Sequence, residues 1–194
     1  MSHIQHPMRG FTLVETLVAI SIIMLAIVGP FTSVEHALTA SYTARDQLVA
    51  SSLAQEGIEY VRGIRDGNAI GNIAPGGTLR HWLAGLDGTP GATASFANCF
   101  TAPCVVDPAA NTVSATIAPL NLRTSGSQSY LYNQAAVSST NAATRFTRTV
   151  QLQTVPSGQN PTVTTEVKVT VTVSWITSHV PYSVVLTENL QPWI

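Results

Sequence analysis

One segment limits what this chain can become. Residues Phe11 to Val34 (FTLVETLVAISIIMLAIVGPFTSV) carry a single charge, Glu15, and from Thr16 to Val34 there is none. As an α-helix at ~1.5 Å per residue the run spans about 36 Å, enough for the ~30 Å hydrocarbon core of a bilayer. A secretory signal has an apolar core of about 7–15 residues followed by a small-residue cleavage site. Here Ile27-Val28-Gly29-Pro30-Phe31 stands where such a site belongs, and the polar leader MSHIQHPMRG stops at a glycine before the run begins. The order is inverted, so the apolar helix is expected to stay with the mature chain.

Glu15 is the odd residue in this run. An acidic side chain deep in a membrane helix costs ~2.5–3.5 kcal/mol on insertion scales and usually marks function. A cut between Gly10 and Phe11 would create an α-amino group four residues before it. Positions i and i+4 share one helix face, and a helix N-terminus favours a nearby anion. The carboxylate then has a cation to neutralise, its own amine or a neighbouring subunit's.

Arg9-Gly10-Phe11-Thr12-Leu13-Val14-Glu15 resembles the class III leader and processing site of type IV pilins and type II secretion pseudopilins, and is most like a minor pilin. The resemblance implies cleavage after Gly10 by a prepilin peptidase, N-methylation of Phe11, and an assembly role for Glu15. It implies a structural subunit with no catalytic residues and no cofactor. Its partners are the peptidase, other pilin subunits, an inner-membrane assembly platform and membrane lipid. The chain is then a single-pass protein of the cytoplasmic membrane before assembly, and part of a cell-surface or periplasmic fibre afterwards. Met8 would give a shorter leader, Met-Arg-Gly. The alternatives are a secretion-type pseudopilin and a membrane-anchored extracellular binding domain that never polymerises.

The helix is expected to continue past the membrane to about Asp66. Apolar residues recur every eleven positions, as Ile27, Leu38, Val49, Tyr60 and as Phe31, Tyr42, Leu53, Ile64. Eleven residues make three turns at 3.67 residues each, so these stripes run nearly straight along one face. Pro30 removes an internal hydrogen bond and predicts a kink. The charges of Gln55–Arg62 read as a solvated face with an i,i+3 pair, Glu59–Arg62. The expected organisation is a leader over 1–10, a membrane and fibre-core helix over 11–34, an amphipathic helix over 35–66, and a globular β-rich domain over 67–194.

Residues 67–127 are rich in Gly, Pro, Ala and Asn. Thr78–Leu86 reads as one or two helical turns. Cys99 and Cys104 flank Phe-Thr-Ala-Pro, a turn signal. If the anchor leaves the C-terminal part outside, they meet an oxidising compartment and can pair; free thiols are the alternative. A zinc site needs two more ligands, and His36, His81 and His179 are scattered, so no metal is expected.

The last third reads as strand. Candidates are Gln128–Val137, Thr144–Val155 around Phe146, Val150 and Leu152, Val163–Ile176 with alternating Val167, Val169, Val171, Val173 and Trp175, and Tyr182–Leu190. Pro156–Pro161 and Ser178–Pro181 read as turns. Period two gives each strand one buried and one solvated face. The amphipathic helix supplies the cover. The fold class is therefore α+β: a pilin-like long N-terminal helix packed on an antiparallel sheet.

With nine Lys plus Arg against ten Asp plus Glu, the net charge is −1, which argues against a nucleic-acid partner held by phosphate contacts. Arg123, Arg145, Arg148 and Lys168 are candidates for a modest basic surface, with isolated surface cations as the default. Nucleophile-elbow, phosphate-loop, dinucleotide and His-Glu-x-x-His motifs do not occur.

Overall fold

The computed structural model describes residues 10, 12–77, 79–127, 129–156 and 166–192. The leader before Gly10, Phe11, the turn beyond Pro156, the start of the strand expected from Val163, and the C-terminal pair after Pro192 lie outside them. The chain divides into two compact units, Met1–Asp46 and Gln47–Ile194.

In chain order the elements are α1 (Leu13–Ile73), β1 (Val105–Asp107), β2 (Thr112–Ser114), β3 (Asn121–Arg123), β4 (Tyr132–Asn133), β5 (Asn141–Ala143), β6 (Thr147–Thr154), β7 (Val167–Thr177) and β8 (Val180–Leu190). The layout is a long N-terminal helix with antiparallel sheets, an α+β arrangement consistent with a pilin-like fold.

The first unit contains the N-terminal part of α1 and buries none of its helical residues. Leu13, Leu17, Ile22, Met24, Leu25 and Phe31 are all exposed. The helix continues through Pro30. Thr16, Ser21, Thr32 and Ser33 each turn their hydroxyl back to a carbonyl three or four residues earlier, at 2.8–3.1 Å. These hydroxyls are satisfied within the helix, as an apolar surrounding requires.

In the second unit the remainder of α1 covers a sheet. Ala50, Leu53, Ala54, Gly57, Ile58, Val61, Ile64 and Asn68 are buried, a stripe at three- and four-residue spacing. The eleven-residue repeat persists in it, as Ala50–Val61, Leu53–Ile64 and Gly57–Asn68. Of the sequence series, Leu53 and Ile64 are buried and Val49 and Tyr60 half-buried, while Ile27, Phe31, Leu38 and Tyr42 are exposed. Helix α1 also ends at Ile73, beyond the expected Asp66. Asparagine side chains account for the extension. Asn68 donates to the carbonyls of Trp82 and Ala84 and accepts from the Ala92 N–H, and Asn72 bonds both backbone groups of Arg80. These bonds hold the last turns against the following loop despite Gly67 and Gly71.

The main sheet is the antiparallel meander β6-β7-β8. Val167, Val169, Val171, Val173 and Trp175 of β7 all point inward and are buried, as their alternation predicts. Each such side chain contributes ~1.5–3 kcal/mol of transfer free energy on burial. Trp175 lies between Phe146 and Tyr182, with ring centroids 5.8 and 5.7 Å away. The β7–β8 turn is tighter than the expected Ser178–Pro181. Only Ser178 and His179 form it, with φ of 50° and 66°, and Val180 pairs with Thr177. Two consecutive left-handed residues match the twist of a two-residue hairpin. Pro181 is tolerated because β8 is an edge strand.

Elsewhere the expected Gln128–Val137 strand shrinks to the two residues of β4, which pairs with β3 in a small sheet of order β4-β3-β5. The preceding residues turn back, with Tyr130 at φ 68° and its N–H bonded to the Arg123 carbonyl at 2.7 Å. Residues 82–86 form turns rather than helix.

Cys99 and Cys104 form a disulfide with Cα atoms 5.2 Å apart. Their loop lies along the edge of β6 not occupied by β7. Cys104 exchanges both backbone hydrogen bonds with Val150, and the Leu152 N–H donates to the Cys99 carbonyl at 2.9 Å. The loop therefore covers a sheet edge that would otherwise present unpaired backbone groups.

The reading of Arg148 as a surface cation needs correction. Arg148 lies on the inward face of β6 and is fully buried. It donates to the Leu53 carbonyl at 3.1 Å, to Glu56 Oε2 at 2.5 Å and to the Val106 carbonyl at 2.9 Å. It thus joins α1, β1 and β6. Arg145 lies elsewhere, with Nη1 on Thr177 Oγ1 at 3.3 Å. The Gln55–Arg62 run is likewise only partly solvated. Glu56 reaches Arg148, and Arg62 bonds both Glu59 and Glu188 of β8. These bonds, that to Glu188 first, raise the Arg62 pKa further.

Candidate processing and assembly site

The first turn of α1 contains Glu15, and Gly10 lies just before the helix. Thr12 caps the helix, with its Oγ1 accepting the Glu15 N–H at 3.3 Å and its carbonyl the Thr16 N–H at 3.2 Å. Thr12-Leu13-Val14-Glu15 has the Thr-x-x-Glu spacing of a capping box. That spacing is the local signal that marks Thr12 as the cap. The cap stands two residues after Gly10, and the helix begins at the next residue, Leu13. This start places Glu15 in the first turn, where a carboxylate is favoured by the helix dipole.

Gly10 is exposed. A Cβ built there meets nothing within 4 Å, so no packing in the described chain requires glycine at this position. Phe11 lies outside the described residues.

Other candidate chemistry stays dispersed. No group of three or more His, Cys, Asp or Glu side chains suited to a metal ion occurs among the described residues. His81 pairs with Asp87, Nδ1 to Oδ2 at 2.9 Å, with His36 and His179 far from it in sequence. The buried Asp107 carboxylate is taken up by the backbone N–H groups of Ala109, Ala110 and Gln134. Tyr60 donates to Asn111 Oδ1 at 3.0 Å, and burial, helped by Asp107, pushes its phenol up to about 12.

Residues 6–29 match the family described as the prokaryotic N-terminal methylation motif. The match spans the Gly10–Phe11 junction, the Thr12 cap, Glu15 and the apolar helix through Gly29. It supports a type IV pilin-like family, whose members are processed and then assembled with other subunits. No match was found among curated proteins or among solved structures. Alongside the motif, α1 is long and apolar enough to cross a membrane, with none of its apolar window buried. Both features fit a membrane-anchored precursor.

Proposed function

We propose that this chain is a minor pilin-like structural subunit of a type IV pilus or related fibre. Residues 1–10 are the leader, 11–34 the membrane and fibre-core helix, 35–66 the amphipathic helix and 67–194 the globular domain. A prepilin peptidase cuts after Gly10, and the new amine of Phe11 is methylated. Glu15 then pairs with an amine in the growing fibre while the apolar helices leave lipid and pack together.

The observation that carries this reading is a methylation motif placed on a helix that stays uncovered from Leu13 to Val34. Such a surface needs lipid or other helices around it, and a fibre core provides the second after the membrane provides the first. A plain anchor would gain by losing Glu15, since the carboxylate is unfavourable in lipid.

Gly10→Val tests the processing step. The open space at Gly10 leaves the fold indifferent to the change, so a loss of cleavage reports recognition by the peptidase. The expected result is accumulation of full-length precursor in the membrane, detected by intact mass. Normal processing of the variant would remove the pilin-type assignment of this site.

A further inference from the structure

The second unit has an apolar groove that its own chain leaves open. It has a volume of about 400 Å³ and is lined by Leu48, Val49, Ser52, Leu53 and Glu56 of α1 and by Tyr130–Tyr132. Leu48 is 69% and Tyr130 81% exposed. Tyr130 is held in the left-handed region by two backbone bonds, its N–H to the Arg123 carbonyl and the Arg123 N–H to the Leu131 carbonyl.

Two further features define the occupant. Among the described residues, Glu56 is the only charged one lining the groove, and its carboxylate is bonded to the buried Arg148 guanidinium. The pair has no net charge, so an uncharged apolar surface can be seated there without leaving a lone charge unsolvated. The groove's helical wall, Val49 and Leu53, also belongs to an eleven-residue apolar repeat. An apolar helix with the same period presents a straight stripe that can lie along such a wall. The chain's own Thr16–Val34 segment is of this type: helical, uncharged and exposed.

We propose that this groove seats the uncharged apolar N-terminal helix of a neighbouring fibre subunit. Leu48, Leu131 and Tyr130 are the contact residues, and the Arg148–Glu56 pair keeps the floor neutral. The inference rests on the fibre reading above. In the membrane-held precursor the apolar helices lie in lipid, so the contact forms only on assembly.

The test incorporates the photocrosslinker benzoylphenylalanine at Leu48 of the full-length chain, and separately at Val185, an exposed residue on the solvated face of β8. Filaments and membranes are irradiated and adducts mapped by peptide mass spectrometry. Leu48 should capture a peptide from the apolar N-terminal helix of a pilin-type subunit, in filaments but not in membranes, and Val185 should not. A Leu48 adduct to a globular-domain peptide, to lipid alone or to nothing overturns the proposal. Leu131→Asp adds a second arm at a loop position that is 46% exposed. Its filament content should fall about tenfold, the factor equivalent to ~1.4 kcal/mol, at unchanged processing and membrane level. Unchanged content overturns the proposal. Wild-type chain missing from filaments would instead remove the fibre reading itself.

Discussion

Arg148 Nη1 donates to Glu56 Oε2 at 2.5 Å, from a guanidinium with no exposed surface to a carboxylate that keeps 39% of its own. The two residues are 92 positions apart, one on β6 and one on α1. Their asymmetry predicts unequal mutants. Glu56→Ala leaves a buried cation short of its counter-charge and should cost near the lower end of ~3–5 kcal/mol, whereas Arg148→Met exchanges the charge for an apolar side chain and should cost much less. Arg148 Nε already lacks a partner among the described residues, which favours Met further. Chemical denaturation of the two variants measures the order; equal losses would contradict it.

Gly57 predicts a change of sign between two glycines of one helix. A Cβ at Gly57 falls 2.9 Å from Val171 Cγ1 and 3.2 Å from Arg148 Cδ, whereas a Cβ at Gly63 meets nothing within 4 Å. Gly63→Ala should therefore stabilise, by up to ~1 kcal/mol from helix propensity. Gly57→Ala has the same propensity gain but must displace a packed strand residue, an overpacking cost of ~1–3 kcal/mol. The expected outcome is a raised melting temperature for the first and a lowered one for the second.

The disulfide predicts a local effect on β6. Closing so short a loop contributes about 2 kcal/mol on the chain-entropy model. Replacing both Cys99 and Cys104 by Ser should lower stability by that order. It should also speed hydrogen exchange at Val150 and Leu152, whose N–H groups bond the loop's carbonyls. Alkylation of exported protein without reductant should leave both cysteines unlabelled.

Tyr60 predicts an alkaline limit. Its phenol is pushed up from 10.0 to about 12, so the folded state holds a proton that the unfolded state releases. The associated stability is complete below pH ~10 and lost as pH rises towards ~12. Tyr60→Phe should flatten this part of the stability profile, and ultraviolet titration of wild type should show one of the five tyrosines ionising late.

What the sequence made legible depended on which signals were local. The apolar run, the Gly10–Phe11 junction and the alternation of β7 are local patterns, and helix and meander follow from them. The charge of Arg148 reads as a surface cation until its register on β6 is considered. Phe146, Val150 and Leu152 mark the inward parity of β6, and Arg148 shares it. Its Glu56 partner is remote in sequence, so nothing local announced the pair. The Ser178–His179 turn reads as broader than it is because Pro181 looks like a turn residue until β8 is known to be an edge. The two-residue β4 is set by Asn133, whose partner Asn141 lies on another strand. The groove beside Tyr130 depends on a loop and a helix that meet only in the fold.

The most direct test of fibre assembly is intact-mass and peptide mass spectrometry of this chain in purified surface filaments. The account predicts that the chain is present, begins at Phe11 and carries an N-methyl group. It further predicts that Glu15→Ala is inserted and largely processed but reduced in filaments. A chain absent from the filaments, or present with residues 1–10 retained, would contradict it.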